Sequence, residues 1–279
     1  MMRLAAAFIL ALGWVAPLPA QVDDKPVWIE AQQPEPGVVR LILRSDHLTE
    51  STLILSATLE NMESSVPLPL ACDVKGRDPV ELCVLQIVDT SKAWHYHYDY
   101  KWKYGTRGGV PDPDAVYLLP YRAGERHTVM QGYRGAFSHQ KGSVNEYAYD
   151  FQMPVGTTVC AARAGTVIAV RQDSGSGGSA PEFQLCANYV MIRHGDGTYA
   201  EYLHLKKGGA LVSLGDAVEA GQPIGLSGVT GFTSGPHVHF AVFRVVDQEG
   251  GPERESLPMT LRLGNGQIRQ QPLVQGEPY

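Results

Sequence analysis

Past its first twenty residues the chain has no long apolar run, no cluster of lysines and arginines, no C-x-x-C pair and no internal repeat. Each absence removes a class of protein. Without a second apolar run there is no lasting membrane span. With 23 Lys and Arg against 29 Asp and Glu, the chain offers no basic stripe to nucleic acid. Four cysteines without C-x-x-C spacing argue against a thiolate metal site. No amphipathic pattern is sustained over three helical turns. What the chain does have is 30 Gly and 19 Pro among short runs rich in Val, Thr and Tyr, the composition of strands and turns.

The leading MMRLAAAFILALGWVAPLPA is a separate object. Arg3 precedes an apolar stretch from Leu4 to Val15, which ends in small and helix-breaking residues. This is the layout of a secretory signal over residues 1–20, cleaved near Ala20 and too short for a spanning helix. No cysteine follows to carry a lipid. A periplasmic or secreted mature chain is expected, and loss of Arg3 takes the formal charge from −6 to −7. In that setting an even number of cysteines reads as two disulfides, one per half: Cys72–Cys83 and Cys160–Cys186.

The whole chain reads as all-β. Over residues 21–104, VWIEA, VVRLILR, TLILSATLE and ELCVLQIVD alternate with turn pieces such as QPEPG and KGRDP, predicting an antiparallel β-sandwich-like accessory domain. AWHYHYDYKWKYG closes it. There Trp94, Tyr96, Tyr98, Tyr100, Trp102 and Tyr104 alternate with His95, His97, Asp99, Lys101 and Lys103, so this H-x-H belongs to the solvated face of a half-buried strand. A Gly-, Pro- and Asp-rich connector spans 105–125. A second strand-rich domain covers 126–248, with a hairpin at Asp196–Gly197 and a mobile loop at SGSGGSAPEF. Residues 249–279 add an edge strand and a frayed tail.

The second domain concentrates histidines. SGPHVHFAVF places His237 and His239 at i and i+2, on one side of a strand that is otherwise apolar. Buried imidazoles without partners are costly, so something must satisfy them. His139, Asp150 and His204 fall in the same domain. Nitrogen and carboxylate donors suit zinc, and three protein ligands with one open position is the catalytic arrangement. Spacing alone does not select the three.

Over roughly residues 131–246 the chain resembles the lysostaphin-like zinc endopeptidases that cut peptidoglycan peptides. Four pieces occur in the family's order: SHQKGSVNEYAYDF, PVGTTVCAARAGTV, HGDGTYAEYLHL and VSLGDAVEAGQPIGLSGVTGFTSGPHVHF. The resemblance implies a duplicated hybrid motif fold and one Zn2+ per chain held by His139, Asp150 and His239, with His204 and His237 as an unligated catalytic pair. It also implies hydrolysis of peptidoglycan cross-links through a metal-activated water. The ten residues between His139 and Asp150 exceed the family's usual spacing, which makes the loop an insertion and Glu146 a rival ligand. Asp150 is preferred because DFQMPVGTTV keeps the family's context. His127 and His194 match no catalytic position, and His194 is expected at a hairpin shoulder. Tyr199 and Tyr202 either line the cleft or pack in the core. The small residues of SGVTGFTSG let an extended peptide backbone approach closely.

Two other functions compete. Some relatives lose their ligands and act as cell-wall factors that bind and activate a separate amidase; here every position is filled. The Gly-rich, histidine-bearing barrel also resembles phosphotransferase sugar-uptake domains, but these act in the cytoplasm, against the leader.

Overall fold

Runs of β-branched and aromatic residues, broken every few positions by Gly, Pro or Asp, leave the chain little choice but short strands. The computed structural model describes residues 27–46 and 49–279, so the expected leader lies outside the described residues. The first strands are β1 (Val27–Glu35), β2 (Val38–Ser45), β3 (Glu50–Glu60), β4 (Met62–Ser64), β5 (Leu70–Lys75), β6 (Val80–Ile87) and β7 (His95–Tyr104). Then come β8 (Val116–Leu118), β9 (Val129–Gln131), β10 (Tyr149–Gln152), β11 (Thr158–Cys160), β12 (Gly165–Arg171), β13 (Gly177–Gly178), β14 (Tyr189–Arg193) and β15 (Tyr199–Leu203). The chain continues through β16 (Leu205–Ala210), β17 (Ala217–Val218), β18 (Pro223–Ser227), β19 (Gly231–Phe232), β20 (His237–Gln248), β21 (Gly251–Ser256), β22 (Thr260–Arg262) and β23 (Ile268–Arg269). Among the described residues the helical element is a 3-10 helix, Pro181–Cys186.

The N-terminal part forms two antiparallel sheets, ordered β1-β2-β6-β4 and β5-β3-β7. They share a core built on Leu41, Leu43, Leu53, Leu55 and Leu85. The hydroxyls of Tyr98 and Tyr100 on β7 donate to the carbonyls of Ile29 and Val27 on β1. Along β7 the aromatics are half-buried while His95, His97, Asp99 and Lys101 are exposed, as the alternation predicts. His97 pairs with Asp99 at 3.1 Å and belongs to no metal-capable cluster among the described residues.

An eight-stranded sheet, β17-β12-β14-β15-β20-β10-β9 with β21 pairing the stretch of β20 beyond β10, carries the second half. Strand alternation divides its side chains between two cores. Val190, Ile192, Ala200, Tyr202, Phe240 and Val242 point to one, where Val159, Leu205 and Ile224 of the small β11-β18-β16 sheet meet them. Tyr189, Met191, Tyr199, Phe243 and Val245 point the other way and join the core of the N-terminal sheets. The two parts of the chain are thus packed on one another through apolar side chains. At the seam the Tyr199 hydroxyl donates to Glu50 Oε2 at 2.7 Å and accepts from the Thr106 amide at 2.9 Å.

Three expectations need correction. All four cysteines are free. Cys72 and Cys83 lie on strands of different sheets, and Cys186 turns its Sγ toward the Glu182 carbonyl within its own 3-10 turn while Cys160 is buried on β11. The SGSGGSAPEF segment is built into the fold: Gly177–Gly178 pairs in parallel with Gly231–Phe232, and the 3-10 helix follows. Glycine is required there, because a Cβ on Gly177 would sit 1.9 Å from the Val229 carbonyl oxygen. The tail is also tied down. The Leu273 amide donates to the Tyr149 hydroxyl, the Tyr121 hydroxyl donates to the Tyr279 carbonyl, and β22 pairs with β8.

Candidate metal centre

Asp150 and His239 face each other directly across the antiparallel β10–β20 pair, with His237 opposite Gln152 one step along. Cross-strand partners share a face, so register alone brings the carboxylate and the second histidine of H-V-H together. His239 Nδ1 lies 2.9 Å from Asp150 Oδ1. His139 arrives from the loop between β9 and β10. Gln131 holds that loop: its Oε1 accepts from the Phe137 and Ser138 amides, and its Nε2 donates to Ser138 Oγ and to Asp150 Oδ2. The long spacing from His139 to Asp150 therefore costs nothing in geometry. Glu146 is spent elsewhere in that loop, on Arg134 at 2.8 Å and the Gly142 amide at 2.8 Å.

His204 needs a different device. Leu203 is the partner of His239 in the β15–β20 pair, so strict alternation would send the next side chain to the opposite face. His204 instead has φ of +67°, a left-handed backbone that non-glycine residues adopt at a cost of about 1–3 kcal/mol. The chain leaves one sheet for another at this residue, and the imidazole turns toward His237, with ring centroids 4.5 Å apart. The strain is stored at the residue whose ring meets His237.

Backbone carbonyls set the tautomers. The Nδ1 of His139, His204 and His237 lie 3.1, 2.7 and 2.9 Å from the carbonyls of Gly132, Thr230 and Gly235. A carbonyl only accepts, so each Nδ1 carries the proton and each Nε2 keeps its lone pair. Burial, reinforced by His237 and His239, pushes His204 down to about 3; burial likewise lowers His237. Burial would also lower His239, but its contacts with Asp150 and Glu201 outweigh this and raise it to about 9. For Asp150 burial acts upward, and the His139, His239 and His237 rings gathered around it outweigh this, holding the carboxylate well below its ordinary range.

The donor set passes a fit test for a metal ion. One ligand atom from each of His139, Asp150 and His239 lies within 4.8 Å of the others, and all three residues are buried. The decisive observation is His139 Nε2, a buried lone pair with no hydrogen-bond partner, 3.4 Å from Asp150 Oδ1. Orphaned buried nitrogen is expensive unless something electron-poor takes it. A cleft of about 580 Å³ opens over these groups, lined by His204, His237, Phe137, Phe232 and, from the 3-10 segment, Gln184 and Ala187.

Residues 144–251 match the model of Peptidase family M23, a stretch that includes Asp150, His204, His237 and His239 and begins just after His139. Peptidoglycan DD-endopeptidase ShyA of Vibrio cholerae serotype O1 is 43% identical over 91 residues, 33% of this chain and 18% of that protein. Lysostaphin of Staphylococcus simulans is 37% identical over 95 residues, 34% of this chain and 17% of that protein. The matched part thus spans about a fifth of the length of these curated relatives. The solved catalytic domain of lysostaphin from Staphylococcus simulans aligns at 26% identity and a TM-score of 0.31, covering 47% of this chain and 87% of that one.

The structure lines one cleft with Asp150, His204, His237 and His239, sets the buried His139 against Asp150 and His239, and leaves His127 and His194 outside this group. His194 does sit at the β14–β15 hairpin, and Tyr199 and Tyr202 are core residues rather than cleft residues. Sequence reasoning missed Gln131, whose only signal was its position ahead of a histidine-bearing loop. It also missed Glu201, whose signal was a lone carboxylate in YAEYL, a strand with apolar neighbours on both sides. The 3-10 wall of the cleft went unseen because its segment reads as linker.

Proposed function

We propose that the protein is an exported, zinc-dependent endopeptidase that hydrolyses peptide bonds in peptidoglycan cross-links. The observation that carries this reading is the convergence of His139 Nε2, left without a partner, on the Asp150 carboxylate and His239 beneath an open cleft. His139, Asp150 and His239 hold the metal in this reading. Zinc held by these residues would supply a Lewis acid for the attacking water and the scissile carbonyl.

The chain's own residues do the rest. With Nδ1–H of His204 and His237 each committed to a backbone carbonyl, their Nε2 atoms enter the reaction as bases. One accepts the water proton and returns it to the leaving amine. Two adjacent imidazolium rings would repel, so only one ring of the pair takes up an additional proton on Nε2 at a time. The protonated ring then donates to the developing oxyanion or to the amine. The kinship with a DD-endopeptidase and with lysostaphin supports wall peptides as the substrate class, and the leading apolar segment supports export.

The test is mass spectrometry of fragments released from purified peptidoglycan by the zinc-loaded chain, beside a chelated control. Chelator-sensitive peptide cleavage is expected. Stoichiometric zinc without release from any wall type would overturn the reading and favour a factor that activates another wall enzyme. In parallel, His139→Ala and His239→Ala should lose zinc, while His204→Ala should keep it and lose turnover. Loss of zinc in His204→Ala would contradict these roles.

A further inference from the structure

The ring of His239 has two nitrogens, and the structure provides a carboxylate for each. Nδ1 faces Asp150 at 2.9 Å. On the other side Nε2 is buried with no hydrogen-bond partner, and Glu201 Oε1 stands 3.6 Å away. Glu201 lies on β15 opposite Ala241, one step along the sheet face from the Leu203–His239 pair. Its side chain is 2% exposed. It is held there by Arg254 of β21 through two hydrogen bonds, Nη1 to Oε2 at 2.9 Å and Nη2 to Oε1 at 2.5 Å. Arg254 is itself fixed over the Phe243 ring, 3.8 Å from its centroid, and its neighbour Glu253 pairs with Lys103 of β7 at 2.6 Å.

We propose that Glu201, clamped by Arg254, is a positioning residue for the metal centre: it accepts the Nε2–H of His239 and so fixes the tautomer that turns Nδ1 toward the metal. This rests on the metal role of His139, Asp150 and His239. His139, His204 and His237 have their tautomers set by backbone carbonyls; His239 instead has a carboxylate beside each ring nitrogen, so a side chain sets its tautomer. A movement of a few tenths of an ångström closes the gap to a hydrogen bond. Carboxylates in this position orient a ligating ring and raise its basicity, and removing one weakens metal affinity by about 10–100-fold. Because Arg254 is carried on the strand beside β7, the N-terminal sheets buttress the same ring.

A buried ion pair also has a purely structural explanation, and the test separates the two. Replacing both partners, Glu201→Leu with Arg254→Met, removes the carboxylate without stranding a charge, and such double replacements are often neutral for folding. Zinc affinity of the full chain is measured by chelator competition, alongside thermal unfolding of the metal-free protein. The expected result is a metal-free midpoint near that of the wild type with zinc binding weakened about 10–100-fold. Glu201→Gln, which keeps an acceptor oxygen, should recover most of that loss. Wild-type zinc affinity in a folded double variant would overturn the proposal.

If the double variant does not fold, nitrogen-15 NMR of the zinc-loaded wild type decides instead. His239 must show a proton on Nε2 and a metal-shifted Nδ1; the opposite pattern overturns the assignment. Absence of zinc binding by the wild type would instead remove the metal reading itself, so the two failures are distinguishable.

Discussion

Acid stability of this fold should turn on His194, a residue the cleft does not use. It is 1% exposed, donates Nδ1–H to the Ala164 carbonyl at 2.9 Å, and buries an Nε2 that has no partner. The Tyr117 ring stands edge-on at 5.6 Å, and Arg163 and Asp196 are the charged groups around it. Burial, opposed by the Ala164 carbonyl and Asp196 and aided by Arg163, pushes its pKa from 6.5 to about 4. Between those values the unfolded chain holds a proton that the folded chain refuses. Stability contributed by the neutral ring is therefore complete above the unfolded pKa and is lost as pH falls toward the folded one. The slope is about 1.4 kcal/mol per pH unit, which accumulates to roughly 2.5 kcal/mol by about pH 4.5. His194→Asn keeps an amide donor for Ala164 and cannot titrate. Urea unfolding of chelator-treated wild type and variant, repeated from about pH 7.5 to about pH 4.5, isolates the effect as a difference in which the titration of every other group cancels. The gap between the two proteins should move in the variant's favour by that amount. A constant gap would refute the argument.

Three further outcomes follow from single contacts. Tyr199→Phe strips the hydroxyl that joins Glu50 to the Thr106 amide, and should cost about 1–3 kcal/mol in urea unfolding; an unchanged midpoint would mean the seam does not depend on it. Gly177→Ala puts a Cβ 1.9 Å from the Val229 oxygen, so the 3-10 wall must shift, with a loss of about 1–3 kcal/mol and a raised KM on wall peptides. Phe137 is 63% exposed and stacks on Phe232 at 5.8 Å, so Phe137→Ala should raise KM with little change in kcat, as a contact made equally in ground and transition states does. A fall in kcat at constant KM would contradict that assignment.

Some of the molecule was legible because the information is local. Alternation in AWHYHYDYKWKYG predicted which side of β7 is wet, and it explains why His95 and His97 carry no metal cluster although they repeat the spacing of His237 and His239. The difference between the two H-x-H pairs lies in their neighbours: Asp99 and solvent in one case, buried β10 and β15 in the other. Glycine-rich SGSGGSAPEF misled for the opposite reason. Its residues have no local preference for structure, and its pairing partner lies some fifty residues further along the chain. The cysteines show the same limit, since bridge formation depends on a distance between strands of different sheets that no spacing in the sequence encodes.

By itself the sequence determined the all-β character and the alternation that faces His237 and His239 the same way, while the choice of five side chains came from a family resemblance. The first two follow from propensity and from the two-residue strand period, which act over a few residues. Only the tertiary structure decided that Asp150 stands opposite His239, that a left-handed residue swings His204 across, and that Glu201 reaches the far nitrogen of His239 with Arg254 behind it. It also decided that the N-terminal sheets pack on one face of the eight-stranded sheet. These are long-range facts of register and packing. Their free energy arises only when strands distant in sequence meet, so no short stretch of residues can announce them.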